Sequence, residues 1–204
     1  MSRAGLAVWI GGAFALALAL AAAAFLHAGL GKAGAELGLR LTARLAFACF
    51  WQSYVAGALV TLFGEAFRPL KARAAALGLA FAAVLAVHLG LVAWLCLIGQ
   101  PPAAWVFLVF GPGALAAALL ALGSLPRLAR IMGPKSWRTV WTLGTTYIAF
   151  DFALDFLRPL QSVTPLHLAE YLPFAALAVL GPALKLLAWL DLQAAAPGRG
   201  APAR

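Results

Sequence analysis

Apolar residues gather into about six blocks along this chain. Each is near the ~20 residues that a helix rising ~1.5 Å per residue needs to cross ~30 Å of hydrocarbon. The first runs from about Gly5 to Leu30 and is almost wholly Ala, Leu, Phe and Gly. The second, about Leu41 to Phe63, is aromatic and carries Arg44, Gln52, Ser53 and Tyr54. The third, about Ala74 to Ile98, contains His88, and the fourth, about Ala103 to Leu125, is interrupted by Gly111-Pro112-Gly113. The fifth, about Arg138 to Leu157, is the least hydrophobic and holds Asp151 and Asp155. The sixth, about Tyr171 to Leu192, carries Pro182 and Lys185. Helices are expected because a backbone in lipid must satisfy its own hydrogen bonds, and no segment alternates with the dyad period of a barrel. The pattern predicts an all-α membrane protein, with one six-helix transmembrane domain over residues 1–193. The remainder, 194–204, is rich in Ala, Pro, Gly and Arg and is expected to be a disordered cytoplasmic tail.

Met1-Ser2-Arg3 ahead of an apolar run also has the outline of a secretory signal, whose core is usually about 7–15 residues. This first block is nearer 25 residues, so a retained helix is expected.

Composition agrees with the pattern. Of 204 residues, 65% are apolar and 10% charged, more hydrophobic side chain than one soluble core buries, so lipid is the expected solvent. The basic residues divide unevenly between the ends of the predicted helices. Arg3, Arg68, Lys71, Arg73, Arg127, Arg130, Lys135, Arg138, Arg199 and Arg204 fall on one side, against Lys32, Arg40, Arg44 and Arg158 on the other. Short basic loops stay cytoplasmic, which predicts both termini inside a cell membrane, a bacterial inner membrane by this pattern. The net charge of +9 is then a topology signal and an attraction to anionic headgroups. No basic face interleaved with exposed aromatics suggests nucleic acid. Cys49 and Cys96 lie inside predicted spans with no C-x-x-C, as small buried residues. Walker, dinucleotide-binding, zinc-protease and nucleophile-elbow motifs are absent, which excludes soluble catalytic chemistry of those kinds.

Polar groups inside a membrane are costly and need a reason. A neutral imidazole at His88, near the middle of the third span, can ligate haem iron, carry a proton or bond a neighbouring helix. Asp151 and Asp155, four apart, share one face of the fifth helix. A carboxylate at the centre of a span costs roughly 2.5–3.5 kcal/mol on insertion scales, so the two need a partner, a proton or a wet cavity. Arg44 and Arg158 lie at the depth to pair with them, giving an intramembrane polar cluster of Arg44, Asp151 and Asp155, with Asp155 near Arg44. Thr142, Thr145, Thr146 and Tyr147 mark the fifth helix as one surrounded by others. Lys185 is expected to snorkel to the interface. Ala56-Gly57 and Gly181 permit close helix packing.

The run from Arg68-Pro69-Leu70-Lys71-Ala72-Arg73 through Leu77-Gly78 to Ala86-Val87-His88-Leu89 resembles the third-helix opening of the ferric reductase-like transmembrane domain family. Ser136-Trp137-Arg138-Thr139-Val140-Trp141 to Tyr147-Ile148-Ala149-Phe150 is similar to that family's fifth-helix opening. The resemblance covers about residues 40–160. It implies six helices, the third and fifth facing one another, and b-type haem held between histidines on those two. His88 matches the third-helix ligand. Trp141 or Gly144 stands in place of the first fifth-helix histidine, and Asp151 and Asp155 around the second. His27 and His167 are elsewhere, so bis-histidine haem cannot form between these helices.

Three readings follow. The first is a ferric reductase-like protein without bis-histidine haem, serving as an accessory or structural subunit beside another membrane or redox subunit. The second is a b-haem electron carrier with His88 as an axial ligand and an unusual partner. The third is a small proton-coupled transporter or channel using Asp151 and Asp155, which an interrupted fourth helix would suit.

Overall fold

A chain rich in Ala and Leu has few side chains able to bond its own amides, and it satisfies them along helix axes. The computed structural model describes residues 3–124, 133–161 and 165–195. Among the described residues six α-helices follow one another: α1 (Arg3–Ala28), α2 (Lys32–Phe63), α3 (Arg68–Leu97), α4 (Ala104–Gly123), α5 (Pro134–Leu157) and α6 (Pro165–Ala194). Single 3-10 turns, Gly64–Phe67 and Arg158–Gln161, link α2 to α3 and follow α5. Arg127, Arg130 and residues 196–204 of the expected tail lie outside the described residues.

Four stretches are long and apolar enough to cross a membrane: Ala4–Ala28, Lys32–Leu97, Ala104–Gly123 and Leu168–Ala194. They mark an integral membrane protein. The second of them spans 66 residues and contains both α2 and α3. Here Gly64, at φ +75°, takes the left-handed conformation that ends α2, and Pro69 restarts the helix in the first turn of α3. α5 is not among the four, since Lys135, Arg138, four threonines and two aspartates make it more polar than the rest.

Several helices outrun the apolar blocks that predict them. α2 begins at Lys32, nine residues before the block at Leu41, and α3 begins at Arg68, ahead of Ala74. The polar turns Lys32–Arg40 and Arg68–Arg73 continue the helix because Lys, Arg, Glu and Leu are strong helix formers, whatever their hydropathy. The expected interruption of the fourth helix does not occur. α4 runs unbroken through Gly111, Pro112 and Gly113. Proline at 112 removes the donor that would reach the Leu108 carbonyl and loosens the turn around Val109. One residue on, the Tyr147 hydroxyl of α5 donates to the Val109 carbonyl at 2.8 Å and ties this turn of α4 to α5.

α2 is the hub of the bundle and packs against α1, α3 and α6, while α5 lies between α4 and α6. α4 leans on α5 and touches α3 more lightly. An aromatic core joins α2, α3, α5 and α6: Phe152 stands 5.1 Å from Phe47, 5.5 Å from Phe50 and 6.1 Å from Phe81, ring centre to ring centre. Phe174 of α6 closes the cluster at 5.1 Å from Phe156. Glycines set how closely α4 approaches α5. A Cβ at Gly113 would overlap the Asp151 carboxylate, and one at Gly123 would overlap the Trp137 indole. Gly181 gives room to Trp51, whose indole N–H donates to the Leu177 carbonyl at 2.7 Å, whereas Gly57 faces open space.

Lys185 does not reach out of the bundle. Its Nζ lies 4.1 Å over the Tyr54 ring and 5.0 Å from that of Trp141, so two aromatic faces receive the charge.

Candidate functional site

α3 and α5 face one another across a cavity of about 610 Å³, floored by α2 and closed on the fourth side by α4. Among the described residues no backbone contact joins α3 to α5 directly, and the Phe81–Phe152 ring contact bridges them below the cavity. At the end of the bundle that carries the α3–α4 connection, the cavity is lined by the polar Lys32, Glu36, Arg40 and Gln100. Lys32 and Glu36 form an exposed pair at 3.8 Å across one helical turn. Deeper in, the walls are Phe81, Leu85, Phe107, Phe110, Ile148 and Phe152. His88, Asp151 and Asp155 are the titratable groups set among them.

Asp151 is 8% exposed, and its Oδ1 finds no hydrogen-bond donor among the described residues. Its Oδ2 lies against Gly113, where any side chain would displace it. Asp155, one turn on, is exposed to the cavity, and each carboxylate lies within electrostatic range of the other. Both carboxylates line the cavity from α5, Asp151 buried and Asp155 exposed. The expected pairing with Arg44 does not form. Arg44 Nη2 bonds the Glu170 carboxylate of α6 at 3.2 Å, and its guanidinium lies 5.4 Å from the Tyr171 ring and 5.5 Å from the Phe174 ring. Its charge reaches Asp155 without a hydrogen bond or ion pair between them. Glu170 lies just before the sixth apolar block, and only the folded chain shows how close it comes to Arg44. Arg158, the other expected partner, stacks on Trp105 of α4 at 4.3 Å.

His88 is held by a residue the sequence does not single out. Thr42 of α2 is fully buried, and its Oγ1 lies 3.0 Å from His88 Nδ1. The Thr42 hydroxyl also sits 2.8 Å from the Gly38 carbonyl and 3.2 Å from that of Leu39. Its single proton goes to a carbonyl one turn back, as helical threonines commonly place it, so Nδ1 carries the donor N–H. Nε2 is then the acceptor of the neutral ring. A hydroxyl at the depth of His88, on the helix before it, is the signal that would have found this pair.

The residues present do not fit a haem held by two histidines. Opposite His88 the wall of α5 offers Asp151, Phe152 and Asp155. Gly144 is seated against Leu120 and Ala116 of α4, and Trp141 turns toward Lys185. His27 is exposed at the end of α1 and does not line the cavity. Among the described residues no group of three or more His, Cys, Asp and Glu is placed to hold a metal ion. Comparison of the chain with protein-family models, curated proteins and solved structures brings no match.

Proposed function

We propose that this chain is a six-span protein of a bacterial inner membrane, with both termini inside. In this reading it keeps the helix arrangement of the ferric reductase-like transmembrane domain and uses the space between α3 and α5 to bind a small cationic solute. Of the three readings drawn from the sequence, the small proton-coupled transporter or channel using Asp151 and Asp155 gains most from the geometry, and it is taken here as a site for a cationic solute. The observation that carries it is Asp151: a buried carboxylate with an unpartnered oxygen, opening on a cavity that a second carboxylate also lines. An unpaired charge in such a place is expensive, and a cation delivered through the cavity supplies the missing partner. The basic starts of α3 and α5, Arg68, Lys71 and Arg73 and then Lys135 and Arg138, support an orientation in which the opposite end of the bundle, with the polar end of the cavity, faces outside.

Side-specific thiol labelling tests this. Asp155→Cys is made in a Cys49→Ala/Cys96→Ala background and treated with a membrane-impermeant thiol reagent in right-side-out and in inverted vesicles. The proposal expects rapid labelling from the outer face alone. Labelling from the inner face, or from neither, refutes the outward cavity.

A further inference from the structure

We infer that the ligand of this cavity is a monovalent organic cation carrying an apolar body, a statement that rests on the cation-binding reading above. Three observations give it that character. The first is the balance of the walls. One buried carboxylate, Asp151, lies deep, and Asp155 stands one turn nearer the polar end, while the rings of Phe81, Phe107, Phe110 and Phe152 make up much of the rest. Aromatic faces attract cations whose charge is spread over an apolar surface, and they offer little to a hydrated ion. The second is the absence, among the described residues, of any cluster of three or more ligating side chains. A hard metal cation takes six or more oxygens and would be poorly served here.

The third is where the cavity wall is thin. α4 packs chiefly on α5 and only lightly on α3. Leu89 of α3 and Phe107 of α4 line the cavity along that seam and are 43% and 46% exposed. In this reading the lightly packed α3–α4 seam, apolar at Leu89 and Phe107, is the route to the buried carboxylate for a cation dissolved in the bilayer, while the polar end of the cavity carries Lys32, Glu36 and Arg40. A cation soluble in the bilayer reaches Asp151 without passing those charges. At about 610 Å³ the space suits a drug-sized molecule, in the range of roughly 300–1,000 Å³ usual for such sites.

Equilibrium binding of radiolabelled tetraphenylphosphonium to the full chain in nanodiscs, against empty nanodiscs, decides the matter. Saturable binding stoichiometric with the chain is expected. Unlabelled tetraphenylphosphonium should displace it, and tetramethylammonium, equal in charge but without the apolar body, should compete at least roughly tenfold less well, at ~25 cal/mol for each Å² of apolar surface it lacks. Asp151→Asn should weaken binding by roughly tenfold to a hundredfold, the Coulomb attraction of unit charges about 6–12 Å apart at an effective dielectric constant near 20. The competition series on the unmodified protein needs no variant, so the inference stands or falls even if Asp151→Asn does not fold. Absent saturable binding, equal competition by tetramethylammonium, or full affinity in a folded Asp151→Asn protein would each overturn it. Asp155→Cys labelled from outside with no tetraphenylphosphonium bound removes the ligand class and leaves the cavity reading intact. Asp155→Cys unlabelled from outside removes the cavity reading itself.

Discussion

Replacing Gly113 by alanine is the sharpest probe of how α4 and α5 meet. A Cβ there would fall on the carboxylate of Asp151 and stand 3.6 Å from the Tyr147 ring. Two effects oppose each other. Alanine is favoured over glycine in a helix by ~1 kcal/mol, while overfilling a packed contact costs about 1–3 kcal/mol. The second effect less the first leaves a net loss of ~0–2 kcal/mol. In an Asp151→Ala background the overlap is gone, and the same Gly113→Ala change should stabilise by up to ~1 kcal/mol. The sign reversal amounts to a coupling of about 1–3 kcal/mol in a double-mutant cycle. Gly111, two residues away, is the control: a Cβ there would meet nothing within 4 Å, so alanine should stabilise in both backgrounds. The assay is the unfolding midpoint of purified protein titrated with dodecyl sulfate from maltoside micelles. A stabilising Gly113→Ala in the unmodified chain, or an equal effect in both backgrounds, would refute the close approach of Asp151 to α4.

Two further outcomes come from the same contacts. Thr42→Val keeps the shape but removes the acceptor at 3.0 Å from His88 Nδ1, and should cost about 0.5–1.5 kcal/mol in the same titration, with Thr42→Ser restoring it. An unchanged midpoint for the valine variant would mean that His88 leans on another acceptor. Glu170→Gln should cost less than ~1 kcal/mol, because the pair is 23% and 42% exposed. Arg44→Ala should cost more, since it also removes about 0.5–1 kcal/mol of contact with each of two rings. Equal losses for the two variants would assign the cluster to the ion pair alone.

Depth in the membrane decides what is legible in the sequence. Each expected block falls on one of the six described helices, but only four stretches are long and apolar enough to cross a membrane, and the polar α5 is not in them. Hydropathy does not report where a helix starts, which is why the polar turns of Lys32–Arg40 escape it. The inward face shared by Asp151 and Asp155 follows from a spacing of four, a local property of one helix. Pairings between helices are not legible in that way. Depth alone assigns Arg44 to the aspartates, yet Glu170, 126 residues away, comes closer in the folded bundle. The Gly111-Pro112-Gly113 stretch reads as a break in isolation. It stays helical in the bundle, where Tyr147, 38 residues from Val109, donates to the Val109 carbonyl, a contact that nothing near Pro112 in the chain announces. Thr42 escapes notice for a related reason, since nothing near it in the chain asks for a hydroxyl and its partner His88 is 46 residues away.

The central claim is that the space between α3 and α5 receives a cation against carboxylates and does not hold haem iron between imidazoles. An absorption spectrum of the purified protein, oxidised and then dithionite-reduced, before and after titration with haem, tests it most directly. The account predicts no Soret band and no reduced α and β bands from well-folded protein, and no stoichiometric uptake of added haem. A Soret band with sharp reduced α and β bands, equimolar with the chain and lost in His88→Ala, would contradict it.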